Sequence, residues 1–407
     1  MIDYTTYMSN MLDSEQLIKK LTILPKYEPS ITNCSCPERL LALSDVYKIY
    51  IPSRMTFEIY NKIYLALYKS LEKKGTISAV KQRYENYKII RKQPYSGILG
   101  GSDSFTIIGP SGIGKSSTID KVISVITQEK IISDPKNNIK IIPCLVVQCP
   151  FDSSVKGLLF EIMRKVDEYL NTNFYECVTK SKNISVDILI GMVSNIAINH
   201  IGILIVDEIQ NIVKSKNGMN LVGAITQLIN NSGISICMVG TPECEQLFEK
   251  EMYLARRSIG LYYNKLDYDN FFKTFCDTLF QYQYVKNKIV LTDELTGWLY
   301  QHTNGIIALI ISLMHDAQEI AILDGSEIIN VTTLNDAYQK RLLFIHNYMS
   351  QKKVNYTAIK IKKENYNTTK SSDKFLSFKE IVEQANKQNK NVISLLKAYF
   401  TVTEVEI

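Results

Sequence analysis

The 407-residue sequence has no run of about 18 uncharged apolar residues, the length a helix needs to cross a bilayer. Neither a transmembrane helix nor a membrane partner is expected. The N-terminus, MIDYTTYMSNMLDSEQ, lacks the basic start and apolar stretch of a signal peptide, so a cytoplasmic protein is expected. Paired cysteines are missing too. The eight cysteines are scattered, several in apolar contexts (Cys144, Cys149, Cys237, Cys276), which suits a reducing compartment. Only Cys34 and Cys36 sit close, and one Cys-x-Cys without a second pair or a nearby His is a poor zinc signal. There are no internal repeats. One-sided charge is nearly absent until the end of the chain. Residues 351–407 hold 11 Lys and 6 acids, which leaves a net of only +1 for residues 1–350 out of +6 overall. That basic tail is either a solvated arm or a segment that touches a polyanion.

What is present is an ordinary globular composition, 45% apolar and 22% charged, which excludes a largely disordered chain. The length suggests two to three domains at roughly 100–200 residues each. In MTFEIYNKIYLALYKSLEKKG, apolar residues at helical spacing (Phe57, Tyr60, Ile63, Tyr64, Ala66, Leu67, Leu71) predict an amphipathic helix stopped at Gly75. From about residue 90 short apolar runs alternate with helical patterns. Strands are expected at Phe105–Gly109, Ile139–Cys149, Gly202–Glu208 and Ile234–Gly240. Helices are expected near Lys115–Gln128, Ser153–Leu170, Ser185–Asn199 and Asn220–Asn231. Such alternation predicts an α/β fold with a parallel sheet flanked by helices. Beyond about 266 only helical spacing remains.

Four motifs carry chemistry. Gly109-Pro110-Ser111-Gly112-Ile113-Gly114-Lys115-Ser116, continued by Ser117, is a complete G-x-x-x-x-G-K-[ST] phosphate loop between a strand and a helix. Its glycines turn backbone N–H groups inward, Lys115 reaches the β- and γ-phosphates of ATP, and the Ser116 hydroxyl ligates Mg²⁺. The strand ILIV then delivers Asp207, a metal-holding acid, and Glu208, an acid that polarises the attacking water, to a point beside that loop. Val239-Gly240-Thr241-Pro242-Glu243 ends the next strand, and Thr241 is expected to sense the γ-phosphate through that water. Arg256 and Arg257 follow the helix leaving Thr241. In a ring or filament of such modules one of them would reach a neighbour's nucleotide in trans. Lys180, Lys182, Lys214 and Lys216 lie in loops and are the candidate contacts to DNA phosphates.

At GPSGIGKSSTIDKVIS, ILIVDEIQN, VGTPE and ARRSIG, together with PERLLALSDVYKIYIPSRMTFEIYNKIYLALYKSL, the chain resembles AAA+ ATPases. More narrowly it resembles the TnsC group that regulates target choice in TnsABCD-type transposons, relatives of TniB and the Mu phage B protein. The resemblance covers about residues 37–350. It implies an AAA+ P-loop NTPase core at 76–265, a mostly helical partner-binding region at 1–75, a helical lid at 266–350, and the basic tail at 351–407. It also implies a bacterial, DNA-associated ATPase that forms homo-oligomeric rings or filaments on duplex DNA without reading sequence; the lid departure described next makes slow hydrolysis the expectation. Such an ATPase links a TniQ/TnsD-like target selector to a TnsA/TnsB-like transposase. One departure is Thr303-Asn-Gly-Ile-Ile-Ala-Leu-Ile-Ile, which has no arginine where many AAA+ lids place one against the γ-phosphate. Two other functions stay open at this point: an Orc-like initiator or loader, and a nucleotide-gated adaptor with incidental hydrolysis. DNA stimulation of turnover separates the regulator from the adaptor.

Overall fold

The computed structural model describes residues 3–91, 93–94, 104–127, 129–134, 139–180, 184–214, 218–245 and 260–343. All of them lie in the first of the chain's two units, Met1–Gln351. Lys182, Lys216, Arg256, Arg257 and the tail from 351 lie outside the described residues, as does the side chain of Lys214. Among the described residues no single helix is long and apolar enough to cross a membrane.

Six strands, β1 (Phe105–Ile108), β2 (Ile132–Asp134), β3 (Ile139–Gln148), β4 (Ile201–Asp207), β5 (Ser235–Gly240) and β6 (Leu261–Tyr262), form one sheet in the order β2-β3-β4-β5-β1-β6. Only β2 pairs antiparallel, with β3; the other neighbours are parallel. The four strands expected from apolar runs are the central four. They read as continuous apolar runs because both faces are covered.

Period-two alternation divides each strand between two cores. Phe105, Ile107, Ile203, Ile205, Cys237 and Val239 face one core, whereas Ile108, Leu204, Val206, Ile236 and Met238 face the other. The first face is covered by α1 (Ser14–Leu21), α3 (Arg54–Lys74) and α5 (Lys115–Ile126). α2 (Cys36–Leu43) lies elsewhere, and α4 (Ile77–Ile90) follows α3 after a turn at Gly75. The second face is covered by α6 (Val155–Leu170), α8 (Val186–His200) and α10 (Gly218–Ser232), with short α7 (Phe174–Thr179) and α9 (Asn211–Lys214) between them. The amphipathic helix expected up to Gly75 is α3. It lies close on the sheet: a Cβ at Gly202 would stand 2.5 Å from Leu67 Cδ1, and the Ser70 hydroxyl donates to Gly202 O at 2.5 Å.

The described part of the region expected as a lid consists of helices Asn270–Phe280, Asp293–Thr303, Ile307–Leu323 and Val331–Ala337 with a π-turn at Tyr338–Leu342. Its core is not its own alone. Leu43, Val46 and Ile49 pack in with Phe272, Leu299 and Leu313, so the N-terminal 75 residues serve two cores. The Tyr27 hydroxyl donates to Gln283 O at 2.5 Å, and the Tyr282 hydroxyl donates to Pro25 O at 2.9 Å. Arg39, 2% exposed, forks onto both oxygens of Glu327 at 2.6 Å each and donates to Tyr284 O at 3.0 Å.

Candidate functional site

The phosphate loop leaves β1 and closes at the first turn of α5. Gly112 and Gly114 take φ of +82° and +95°, a region side chains rarely adopt. Gly109 is required for a different reason, since a Cβ there would stand 2.6 Å from Ile113 Cδ1 and 2.8 Å from Tyr263 O. Ile113 is buried beneath the loop as its anchor. Ser111, Gly112, Gly114, Lys115, Ser116 and Ser117 line a cleft of about 280 Å³; Gly109, Pro110 and Ile113 shape the loop from behind.

Lys115 is 9% exposed and folds back, donating to Gly109 O at 2.7 Å and Pro110 O at 2.8 Å. Burial pushes its ammonium pKa down, and the charges of Asp207 and Glu208 push back. The ammonium thus has no carboxylate bonded to it and holds its own loop in shape, leaving carbonyl partners that an arriving phosphate can replace.

The acids reach the loop across an intervening strand. Asp207 and Glu208 lie beside the phosphate loop as expected, even though β5 is inserted between β4 and β1. Backbone bonds tie the strand ends together: Gly109 N to Gly240 O at 3.1 Å, Ile209 N to Val239 O at 3.0 Å, and Cys149 N to Asp207 O at 2.8 Å. Over that floor the Ser116 hydroxyl donates to Asp207 Oδ2 at 2.7 Å, while Asp207 Oδ1 accepts from Glu208 N at 2.8 Å. Glu208 sits at φ +58°, and its carboxylate accepts a hydrogen bond from Gln210 Nε2. Asp207, Glu208, Gln210, Gly240 and Thr241 all line the cleft.

Thr241 Oγ1 is buried without a partner among the described residues, and so is Gln210 Oε1. Leaving such a group unsatisfied costs about 1–3 kcal/mol, so the cleft fits an occupant that supplies hydrogen bonds. The Ser116 hydroxyl and Asp207 carboxylate are hard oxygen donors, the set that Mg²⁺ selects. The thiols nearby take no part: burial pushes Cys149 and Cys244 up to about 12, which keeps them protonated.

The lid closes the other side. Ala308 N donates to Gly112 O at 3.0 Å, and Ile307, Ala308 and Ile311 line the cleft. A Cβ at Gly112 would stand 3.0 Å from Ile306 Cγ2. The lid therefore meets the phosphate loop through small and apolar groups. This wall falls within the stretch from Thr303 singled out in the sequence for its missing arginine; sequence reasoning missed Gln210, although Gln210 stands two residues after Glu208.

Of the candidate DNA contacts, only Lys180 has a described side chain. Lys180 caps the C-terminus of α7 and pairs with Glu176 at 2.8 Å, both side chains well exposed. Lys214 was expected in a loop, but its backbone ends the short helix α9.

Residues 100–248 match the sequence model of the family described as "AAA domain". No curated protein matches the chain at a significant level. Among solved structures, the Aeropyrum pernix ORC1 protein in complex with DNA is 13% identical, with a TM-score of 0.41 over 65% of this chain and 64% of that one. The chain thus spans just under two thirds of that protein's length. The Drosophila ORC bound to DNA is 12% identical, with a TM-score of 0.43 over 97% of this chain and 83% of that one. Domain III of the Thermotoga maritima replication initiation protein DnaA is 12% identical, with a TM-score of 0.34 over 65% and 92%. The matched family and the strand order give the fold: residues 100–248 form an AAA domain, and the architecture is that of an AAA+ P-loop NTPase with a mostly parallel sheet between helices.

Proposed function

We propose that this AAA+ ATPase domain binds ATP with Mg²⁺ and hydrolyses it slowly while copies of the chain assemble on duplex DNA. In this reading the protein regulates DNA transposition, linking a TniQ/TnsD-like target selector to a TnsA/TnsB-like transposase. The observation that carries the nucleotide part is the Ser116–Asp207 bond at 2.7 Å, which joins the phosphate loop to the acidic strand end. The transposition part is supported by the ILIVDEIQN, VGTPE and ARRSIG motifs and their resemblance to the TnsC group.

Lys115 would exchange its loop carbonyls for the β- and γ-phosphates. Ser116 and Asp207 would hold Mg²⁺, which supplies charge screening of the phosphates. Glu208 would orient the attacking water and accept its proton, and the Thr241 hydroxyl would hold that water in line. Arg256 or Arg257 would complete a neighbour's site. Slowness is supported by the lid wall, because Ile307, Ala308 and Ile311 bring no cation to the phosphates.

Lys115→Ala tests the nucleotide site. Losing a charge-assisted contact worth about 1.5–3 kcal/mol should weaken binding of a fluorescent ATP analogue by roughly 10–100-fold. Assembly on DNA should be lost with it. Undiminished binding would overturn the site.

DNA binding should be electrostatic and sequence-tolerant. Each neutralised phosphate releases counterion, so the log of affinity should fall with the log of salt by about 0.9 per phosphate contacted. Titrations of unrelated duplexes between low and physiological salt read that slope. A flat salt response with a base-specific footprint would reject assembly on DNA as proposed.

A further inference from the structure

Glu208 is exposed, and a side chain of its length has many rotamers open to it. Among the described residues its carboxylate has a single hydrogen-bond partner, the Gln210 amide, whose Nε2 donates to Oε2. The other bonds around this turn fix its main chain. Glu208 N donates to Asp207 Oδ1 at 2.8 Å, Ile209 N to Val239 O at 3.0 Å, and Asn211 N to Glu208 O at 3.1 Å. On the β3 side, Asn211 Nδ2 donates to Cys149 O at 3.0 Å, and the Ser153 hydroxyl donates to Asn211 O at 2.9 Å. These bonds place the Glu208 backbone and leave its carboxylate to Gln210.

The amide is seated to face that way. Its Oε1 is buried without a partner and lies against Gly240, where a Cβ would stand 3.1 Å from it. The same Cβ would stand 2.5 Å from Ile209 Cγ2 and 2.8 Å from Cys244 Sγ, so Gly240 is the gap at the end of β5 into which the turn fits. Turning the amide over would set its oxygen against the Glu208 carboxylate, acceptor against acceptor. Burying Oε1 unsatisfied costs stability, and the charge-assisted bond from Nε2, the stronger kind, offsets it. We infer that Gln210 is a positioning residue for hydrolysis: by holding Glu208 Oε2 it leaves Oε1 as the oxygen that meets the attacking water. In that step the water oxygen bonds to the γ-phosphorus, and the bond from that phosphorus to the bridging oxygen breaks. ADP leaves, and the proton of the water passes to Glu208 Oε1. Gln210 acts through Glu208 and not on the nucleotide, so the inference rests on the proposed role of Glu208 as the base. Holding one rotamer in place before the reaction is what a positioned base contributes.

The test is a double-mutant cycle on the full chain, read by single-turnover hydrolysis of γ-labelled ATP with protein in excess. Gln210→Met keeps the length of the side chain and removes its polar atoms. It should slow hydrolysis roughly 10–100-fold, the loss of a hydrogen bond to a charged group. Affinity for a fluorescent ATP analogue should stay within about threefold. In the Glu208→Gln background the same substitution should change the rate by less than about twofold, because the base it positions is already gone. An effect of Gln210→Met as large in that background as alone would show a role apart from Glu208 and overturn the inference. So would an unchanged rate in Gln210→Met where Glu208→Gln is slow, or a collapse of nucleotide affinity in Gln210→Met, the mark of a structural part. If Glu208→Gln itself turned over at the full rate, the assignment of the base would fall first and this inference with it.

Discussion

A Glu208→Gln variant is expected to keep its ATP and stop cleaving it. The substitution changes one oxygen for nitrogen and nothing in the phosphate cradle: Lys115, Ser116 and Asp207 hold their bonds without help from the Glu208 side chain. The strained φ of +58° is as costly for Gln as for Glu, so the backbone has no new reason to move. Gln210 Nε2 can donate to the amide oxygen as it donates to the carboxylate. What disappears is the group that accepts the proton of the attacking water, worth roughly 10²–10⁴ in rate. Phosphate release should therefore fall by that factor while fluorescent-nucleotide affinity changes less than about threefold. DNA-bound assemblies should persist in ATP. If nucleotide affinity collapsed instead, the Glu208 carboxylate would be a structural member of the cleft and hydrolysis would need another base.

The second large effect concerns stability. Arg39→Ala strands the Glu327 carboxylate, whose side chain is 13% exposed, against the lid core. Removing one partner of a buried pair costs about 3–5 kcal/mol, because the other charge stays desolvated. Pairing Arg39→Met with Glu327→Gln should recover most of the loss, since no uncompensated charge remains and the amide oxygen still accepts from Lys286 N. The pH response separates this from a simple packing defect. Arg39 holds the Glu327 carboxyl below the usual range. In the native protein the pair's contribution is present above the ordinary carboxylate pKa, about 4.3, and is lost as pH falls through the lower folded value. In Arg39→Ala the Arg39 share of that depression is gone and only Lys286 still holds the carboxyl down, so the part of the gap that depends on the Glu327 charge closes on acidification. Urea midpoints of the two proteins should converge as pH drops below about 5, whereas a packing defect would leave the gap constant.

The parts of the fold that were legible are those whose cause is local. β3, β4 and β5 are continuous apolar runs because both faces are buried, and the phosphate loop announces itself by glycines that no side chain could replace. β6 is two residues long; what permits it is Gly260, where a Cβ would stand 1.8 Å from Thr106 Oγ1, and a close approach of that kind leaves no periodic trace. Strand order is invisible in the same way. That Ser116 meets Asp207 across β5 depends on which strand inserts between which, and no spacing along the chain encodes it. Arg39 and Glu327 are 288 positions apart, and nothing in either neighbourhood names the other. α4 defeats periodicity outright, because Ile77, Val80, Tyr84 and Tyr87 keep helical spacing and yet stand exposed. Thr241 and Lys115 were legible as residues, whereas the unsatisfied hydroxyl of one and the folded-back ammonium of the other needed three dimensions.

The bond from Ala308 N to Gly112 O couples the helical region to whatever the phosphate loop holds. The lid rests on the loop that grips the phosphates, so it cannot swing open without breaking that bond and separating Ile306 from Gly112. Filling or emptying the cleft would then be felt by the helix that starts at Ile307 through the same bond. The position of that helix would thus differ between the filled and the empty cleft.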